Sequence, residues 1–249
     1  MGASIVVVRS WRGGTGKSTV VSRLSHALAE RGLRVGLIDV SLQAPGLHDS
    51  IGVAEERLDG SLFDYLIGDC EIEDVHHDVS DLLTPGPGRL FLIPALQDAK
   101  NIGNPAFGRY DPGLLHDGFR RLITRLELDV LLVDTHAGIN YEALYAIIAA
   151  DIDVVVARAD AGERPGIRLA AAMCAQISHH RSMLVLNMVN PGADPATLRS
   201  EVEVDCSLEV SAVIPYALDG SDAARIAVDR AYGDLAEALT AAMNVEQAR

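Results

Sequence analysis

Short runs of aliphatic and β-branched residues alternate along the chain with longer stretches whose apolar positions recur at helical spacing. Such runs are typical of strands buried in a parallel sheet, and the stretches between them suit crossover helices. The predicted strands are Ser4–Val8, Val35–Val40, Leu90–Ile93, Val130–Val133, Val154–Ala157, Met183–Leu186 and Ser211–Ile214. The predicted helices are Ser18–Arg31, Asp111–Leu126, Tyr141–Ala150, Gly166–Ser178, Pro195–Glu203 and Asp222–Met243. This order predicts an α/β fold: a doubly wound, mostly parallel sheet with helices on both faces.

The stretch Ser41–Gly88 is the least regular part of the pattern. It is acidic, contains a short helical piece at Ser61–Gly68, and ends in the turn sequence Thr84-Pro85-Gly86-Pro87-Gly88. We expect it to be a surface excursion between the second and third predicted strands. No repeat, linker or low-complexity tract interrupts the chain, so we expect residues 1–249 to form a single domain.

A glycine-rich loop joins the first predicted strand to the first predicted helix, over Ser10–Thr19. Its glycines let the backbone turn N–H groups toward phosphate oxygens, and the N-terminus of the helix adds a positive dipole. We expect Lys17 to reach the β- and γ-phosphates of a nucleotide, Ser18 to bind Mg²⁺, and Thr19 to contact the α-phosphate. The predicted nucleotide contacts of the loop are Gly13, Gly14, Thr15, Gly16, Lys17, Ser18 and Thr19.

Composition narrows the possible partners. The formal net charge is −14, which argues against nonspecific DNA binding, because that affinity comes from Lys and Arg releasing counterions. Lys17 is one of only two lysines, with Lys100, which favours a functional role for it. No apolar run reaches the ~18 residues that a membrane span needs, and Ile5–Val8 is too short for a signal-peptide core. The expected location is the cytoplasm.

The glycine-rich loop and four further motifs, taken in chain order, resemble those of the MinD/ParA family, ATPases with a deviant Walker A loop. The loop Arg12–Thr19 resembles the family pattern Lys-Gly-Gly-x-Gly-Lys-Ser/Thr, and Leu37-Ile38-Asp39 resembles its Walker A′ motif. The run Leu131–Gly138 resembles the Walker B strand and the switch loop that follows it. Two segments, Leu184–Asn187 and Ala212–Pro215, resemble those that hold adenine. The resemblance implies a SIMIBI-like P-loop NTPase fold.

The resemblance also implies roles for site residues, with ATP and Mg²⁺ as cofactors. Asn187 and Pro215 would contact adenine, Ser18, Asp39 and Asp134 would hold the metal, and Lys17, Asp39 and Arg12 would be catalytic. ATP is favoured over GTP, because Asn187-Met188-Val189-Asn190 offers no Asp to bind guanine. Taken alone, Asp134–Gly138 would also suit an ordinary turn, and Asn is common after strands.

Two positions depart from the family pattern. The first Lys of the family's loop, which in relatives crosses a dimer interface to the partner's nucleotide, is Arg12 here. Its planar fork can bind two phosphate oxygens, so it could act as an arginine finger across a dimer, and the alternative is a solvated Arg. The second Walker A′ acid, which orients water in relatives, is Ser41. A hydroxyl cannot accept a proton from water near neutral pH as a carboxylate can, although Ser41 or Gln43 could still orient a water.

Three functions are compatible with these motifs. The first is an ATP-dependent dimerising switch that hydrolyses ATP slowly and positions cargo or regulates assembly. It would form a nucleotide-dependent homodimer and bind an unidentified protein partner or cargo. The second is a nucleotide-sensing, partner-binding module with little or no ATPase activity. The third is a metallocluster or metal-delivery ATPase, which would need closely spaced cysteines, whereas Cys70, Cys174 and Cys206 lie far apart in sequence.

Charged residues in the last third of the chain bear on these alternatives. Arg158, Glu163, Arg164 and Arg168 follow the fifth predicted strand, where relatives place dimer and partner contacts. A solvated helix start is the alternative interpretation of this group. Residues 201–249 carry ten acids and three arginines, so the final helix is not a basic membrane-targeting helix of the kind that MinD proteins carry.

Overall fold

The computed structural model describes residues 2–96, 110–160, 162–177, 181–217 and 221–246. Within these ranges the strands form an eight-stranded sheet in the order β3-β4-β2-β5-β1-β6-β7-β8. The strands are β1 Ser4–Arg9, β2 Arg34–Asp39, β3 His77–Asp78, β4 Arg89–Ile93, β5 Val130–Asp134, β6 Ile152–Arg158, β7 Arg181–Val189 and β8 Val210–Pro215. All pair in parallel except β3, which is antiparallel to β4.

Strand β1 lies at the point where the order in which successive strands are added to the sheet reverses. The chain passes from β1 to β2 on one side, whereas β6, β7 and β8 follow one another on the other side. In such doubly wound sheets, ligands bind beyond the carboxyl ends of the strands at this switch point. The glycine-rich loop follows β1 directly, so the topology places it at that position.

Helices cover both faces of the sheet. They are α1 Lys17–Ala29, α2 Leu47–Ile51, α3 Leu62–Leu66, α4 Leu114–Leu126, α5 Tyr141–Ala149, α6 Arg164–Ile177, α7 Pro195–Cys206 and α8 Asp222–Glu246. Alternate residues of β1 point to opposite faces. Val6 and Val8 belong to a core with residues of α1 and α8, whereas Ile5 and Val7 belong to a core with residues of α3, α4 and α5. The predicted doubly wound α/β fold is confirmed.

Of the helices in the described ranges, none is both long and apolar enough to cross a membrane.

Two helices are capped at their N-termini by Asn and Asp side chains, residue types that favour this position. Asn140 accepts a hydrogen bond from the Ala143 N–H at 2.8 Å and caps α5. Asp194 caps α7 by accepting from the Thr197 N–H at 3.0 Å, and the Thr197 hydroxyl donates to the same carboxylate oxygen. These bonds satisfy N–H groups that lack partners within the helix. The side-chain and backbone hydrogen bonds from Thr197 lower the pKa of Asp194.

The stretch Ser41–Gly88 is more than a surface excursion. The expectation drawn from its irregular sequence is therefore wrong in part. Buried side chains of α2 and α3, including Leu47 and Phe63, contribute to the two cores on opposite faces of the sheet. The segment also supplies strand β3, in which His77 pairs with Leu92 of β4. A strand of two residues is too short to show any alternation of apolar and polar positions, so the sequence pattern could not reveal it.

A buried ion pair joins β1 to β6. Arg9 donates from Nε and Nη2 to the two carboxylate oxygens of Asp153, both at 2.8 Å. Arg9 Nη2 also donates to the Ala170 carbonyl of α6 at 3.1 Å. Both side chains are almost fully buried. This bidentate arrangement fixes the carboxyl end of β1, from which the glycine-rich loop departs.

Candidate nucleotide-binding site

The glycine-rich loop owes its shape to glycines with left-handed backbone conformation. Gly14 and Gly16 have φ of 76° and 78°, where side chains with a Cβ are strained. A Cβ on Gly16 would lie 2.4 Å from Asn187 Nδ2. Asn187 Nδ2 donates to the Thr15 carbonyl at 2.8 Å, so the end of β7 holds the loop in place.

A cavity of about 300 Å³ lies inside this loop, and it is called the phosphate cavity below. Its lining includes all seven predicted loop contacts together with Ser10, Ser41, Ala44, His136 and Ala137. Thr15 Oγ1 is buried and has no hydrogen-bond partner among the described residues. Because buried polar atoms are normally paired, this orphaned hydroxyl fits a cavity whose natural occupant carries oxygen atoms. Left-handed glycines, a helix N-terminus and Lys17 together suit a polyphosphate.

Lys17 and Ser18, the first residues of α1, share one carboxylate. Lys17 Nζ lies 2.5 Å from Asp134 Oδ1, and the Ser18 hydroxyl donates to Asp134 Oδ2 at 2.7 Å. Asp134 ends β5, the strand that pairs with β1. The structure therefore brings the proposed phosphate-binding Lys, the proposed metal-binding Ser and the Walker B acid into direct contact.

Asp39 lies beside Asp134, because the two acids are register partners on β2 and β5. Its carboxylate accepts backbone N–H groups of Ser41 at 2.8 Å and of Gly46 and Leu47 at 3.1 Å. Burial, and next the charge of Asp134, raises the pKa of Asp39 to about 6. Two neighbouring carboxylates with the Ser18 hydroxyl form a set of hard oxygen donors, and a divalent cation would relieve the repulsion between them. The residues present thus fit Mg²⁺.

Ser41 and His136 meet at the edge of the phosphate cavity. The Ser41 hydroxyl donates to the Ala44 carbonyl at 3.3 Å and lies 3.2 Å from His136 Nδ1. His136 belongs to the switch loop after Asp134, and sequence reasoning gave it no role. Gln43, the other residue considered for orienting water, instead lines a separate groove with Tyr141 and other side chains.

Arg12 turns toward Glu163 in this structure. Arg12 Nη1 lies 3.8 Å from Glu163 Oε1, and the Arg12 side chain is 58% exposed whereas that of Glu163 is buried. Burial raises the pKa of Glu163, and the Arg12 charge acts in the opposite direction. Among the described residues that line the phosphate cavity, Arg12 does not appear. Its guanidinium therefore faces solvent and the start of α6 rather than its own loop.

Trp11 occupies the place where common phosphate-binding loops have glycine, and the structure gives it a packing role. A Cβ on Gly166 would lie 2.4 Å from Trp11 Cγ. The indole therefore packs directly on the backbone of α6. This contact, with the Arg12–Glu163 pair, couples the loop to the start of α6.

The two residues predicted to hold adenine lie at the ends of β7 and β8, in different surroundings. Asn187 is buried against the loop, as described above. Pro215 lines a separate cavity of about 380 Å³, and its register partner is Val189. The structure therefore brings the phosphate and metal candidates together, whereas Pro215 lies outside the phosphate cavity.

The cysteines lie apart in the described structure. Cys70 packs against the core beneath α3 and α4, whereas Cys206 belongs to the core beneath α6 and α7. Both are free thiols, and burial raises the pKa of each, that of Cys70 to about 11. The Cys174 side chain lies outside the described residues. In the described ranges, no three His, Cys, Asp or Glu side chains form a metal-binding group.

The sheet order and the glycine-rich loop at its switch point define the class of P-loop nucleotide-binding domains. The chain belongs to the CobQ/CobB/MinD/ParA nucleotide binding domain family, whose model matches residues 6–225. The resemblance to MinD/ParA proteins seen in the sequence motifs is thereby confirmed.

Relatives of this chain include an antiactivator, an uncharacterized ATP-binding protein and a putative septum-site protein. The antiactivator FleN of Pseudomonas aeruginosa is 28% identical over 85% of this chain and 73% of its own length. An uncharacterized ATP-binding protein of Methanocaldococcus jannaschii is 30% identical over 62% of this chain and 52% of its own length. A putative septum site-determining protein MinD of Guillardia theta is 32% identical over 62% of this chain and 52% of its own length. The chain thus spans about half the length of the last two.

Solved structures share the fold across nearly the whole chain. MinD in the MinC:MinD complex of Aquifex aeolicus has a TM-score of 0.77 at 20% identity, covering 96% of both chains. MinD of Pyrococcus horikoshii, complexed with Mg-ADP, has a TM-score of 0.75 at 22% identity, covering 99% of both chains. Cobyrinic acid a,c-diamide synthase of Mycobacterium smegmatis, with bound ATP analog and magnesium, scores 0.68 at 22% identity, covering 96% of this chain and 94% of its own. The predicted P-loop NTPase fold is confirmed.

Proposed function

We propose that this chain binds ATP with Mg²⁺ in the phosphate cavity and acts as an ATP-dependent dimerising switch that hydrolyses ATP slowly. The observation that carries the proposal is the convergence of Lys17, Ser18, Asp39 and Asp134 at the glycine-rich loop. Nucleotide-bound structures of relatives, one with Mg-ADP and one with an ATP analog and magnesium, support the choice of ligand.

Each residue at the cavity has a role in the proposal. Lys17 binds the β- and γ-phosphates, backbone N–H groups of the loop from Gly13 to Thr19 bind phosphate oxygens, and Thr15 Oγ1 gains a partner. Ser18, Asp39 and Asp134 hold Mg²⁺, directly or through water. When bound, Mg²⁺ neutralises charge on the β- and γ-phosphates. Asn187 and Pro215 flank the adenine, although Asn187 also holds the loop through Thr15.

Dimerisation gives Arg12 its function. The Arg12 side chain is largely exposed and points away from the phosphate cavity of its own protomer. A guanidinium in that position is available to a second protomer docked against the same face, where it would stabilise charge on the γ-phosphate. In the proposal, dimerisation therefore replaces the contact of Arg12 with Glu163 by a contact with the partner's nucleotide.

In the proposal, the switch acts by binding a protein partner or cargo. The relatives named above include an antiactivator and septum-site proteins, one of them in a complex with MinC. We assign the switch to the cytoplasm. We also expect weak or no binding to nonspecific duplex DNA, because the net charge of −14 opposes it.

Ser41 favours a second candidate function, a nucleotide-sensing module that docks a partner with little or no hydrolysis. Ser41 is buried at the position of the second Walker A′ acid and brings no carboxylate to the cavity. Such a module would bind ATP and change its partner affinity without turnover.

One preparation separates these functions. ATP, ADP and GTP binding would be measured by calorimetry with and without Mg²⁺, and phosphate release would be measured on the same protein. The proposal predicts Mg²⁺-dependent ATP binding, weaker GTP binding and slow phosphate release. Tight ATP binding with no release above the buffer rate would favour the sensing module. Absence of nucleotide binding in folded protein would refute both.

A further inference from the structure

Ser41, which stands where the MinD/ParA motif has its second acid, contacts His136 at the edge of the phosphate cavity. Ser41 follows β2 and His136 follows β5, and these strands are neighbours in the sheet. Both side chains line the phosphate cavity with Lys17 and Ser18. The sequence places them 95 residues apart, and the fold brings Ser41 Oγ within 3.2 Å of His136 Nδ1.

Ser41 Oγ lies within hydrogen-bond distance of both the Ala44 carbonyl and His136 Nδ1. A hydroxyl has one proton to donate, and that of Ser41 is directed to the Ala44 carbonyl at 3.3 Å. With the proton placed there, the hydroxyl oxygen is free to accept a hydrogen bond from His136 Nδ1. In a neutral imidazole with the proton on Nδ1, Nε2 is a hydrogen-bond acceptor. His136 then offers a ring-nitrogen acceptor at the edge of the cavity, in addition to the hydroxyl oxygen of Ser41.

We propose that His136 orients the water that attacks the γ-phosphate, and that Ser41 positions His136 through its Nδ1. The inference rests on the proposed function, since it presupposes that ATP occupies the cavity. His136 Nε2 accepts a hydrogen bond from the water, as the carboxylate of the missing acid would. His136 is thus a catalytic residue that touches the reacting water, and Ser41 is a positioning residue.

The chemical step balances without a proton residing on His136. The water oxygen forms a bond to the γ-phosphorus while the bond from that phosphorus to the β–γ bridging oxygen breaks, and ADP leaves. The proton that water loses passes to an oxygen of the released phosphate. Because phosphoryl transfer depends mostly on positioning and charge stabilisation, an oriented acceptor is sufficient. This arrangement supplies slow turnover although the second acid is missing.

Substitutions at His136 separate orientation of water from packing of the loop. His136→Gln keeps an amide near the position of Nε2, whereas His136→Asn keeps only a group near Nδ1, where the Ser41 contact is made. We expect His136→Ala and His136→Asn to lower the single-turnover rate at saturating ATP on the order of 100-fold. His136→Gln should recover a substantial part of that rate. The Kd for ATP should stay within about threefold in all three variants, since small effects on binding are expected where phosphate ligands are unchanged.

Ser41→Ala tests the positioning role. We expect it to lower the same rate about tenfold, as is usual for residues that orient a reacting group. In the double variant with His136→Ala, removal of Ser41 should cost nothing more, because Ser41 acts through His136. His116→Ala, an exposed histidine on α4, is the matched control and should leave both the rate and the Kd unchanged.

The outcomes of these experiments test the inference separately from the proposed function on which it rests. Wild-type protein that binds ATP and shows no single turnover overturns the inference and leaves nucleotide binding intact. A His136→Ala variant that turns over at the wild-type rate also overturns it, and the proposed switch survives. An equal loss of rate in the His136→Gln and His136→Asn variants would assign His136 to packing. A loss of ATP affinity with the rate preserved at saturating ATP would assign it to phosphate binding. Either result would also overturn the inference. An absence of ATP binding would refute the proposed function as well as the inference.

Discussion

Lys17 Nζ lies 2.5 Å from Asp134 Oδ1, so the cation of the loop and the acid at the end of β5 are paired directly. The Ser18 hydroxyl holds the other oxygen of the same carboxylate. In this structure the groups proposed to bind phosphate and metal therefore satisfy one another. Binding of Mg²⁺-ATP would exchange these internal contacts for contacts with ligand oxygens and the metal. The side chains of Lys17, Ser18 and Asp134 already lie together at the cavity before the ligand binds.

Lys17→Ala should abolish measurable ATP binding, or weaken it at least about 100-fold, because it removes a charge-assisted contact to two phosphates. It also removes the cation that is paired with Asp134, which raises the repulsion that phosphate must overcome. Calorimetry on folded protein measures the change. Arg23→Ala removes the same charge from an exposed position on the same helix and should leave ATP affinity unchanged. Wild-type affinity in Lys17→Ala would show that the loop does not bind phosphate.

Ser41→Asp should raise the rate of ATP hydrolysis about tenfold or more, because it places a carboxylate that can orient water at the edge of the phosphate cavity. The same carboxylate could accept from His136 Nδ1 in place of the hydroxyl. Phosphate release at saturating ATP measures the rate, and the Kd for ATP serves as the control. An unchanged rate with unchanged affinity would mean that the missing acid does not limit turnover.

Arg12→Ala should remove ATP-dependent dimerisation and lower turnover, if the exposed guanidinium acts on the partner's nucleotide. Losses of 10³-fold or more are on the order of what arginine fingers supply in related phosphoryl transfers. Sedimentation with a nonhydrolysable ATP analog measures the association. Arg57→Ala, which removes an exposed arginine paired with Asp81, is the control. Arg12→Ala dimers that form as readily as wild type would assign Arg12 to the Glu163 contact alone.

Asp153→Ala should destabilise the fold by about 3–5 kcal/mol, because it leaves the buried Arg9 guanidinium without its carboxylate. Urea unfolding measures this difference. Asp229→Ala breaks an exposed pair with Arg23 and should cost less than about 1 kcal/mol. Equal effects of the two substitutions would show that the buried pair contributes little beyond an ordinary surface contact.

Much of the fold was visible in the sequence because it follows local rules. The apolar run of β1, the glycines and the helix after them are contiguous, so the loop could be recognised without knowing any distant contact. Asp39 and Asp134 could be placed at the same edge of the sheet, because each ends a predicted strand and parallel strands end together. Their direct pairing in register on β2 and β5 required the strand order.

What the sequence could not reveal depends on contacts between distant segments. Ser41 and His136 belong to two loops, and neither residue carries a pattern that points to the other. The same holds for Arg12 with Glu163 and for Trp11 against Gly166, which form only once β1 and β6 lie side by side. The edge strand β3 was missed for a different reason, since two residues carry no periodicity.

The molar mass of the protein in solution, measured by light scattering with Mg²⁺ and saturating nucleotide, bears directly on the proposed switch. A protomer has a mass of 26.5 kDa. We expect that mass without nucleotide and with ADP, and about twice that mass with a nonhydrolysable ATP analog. The bound analog should be quantified in the same peak. A protein that carries one analog per chain and keeps the mass of a single protomer at micromolar concentration would contradict the switch.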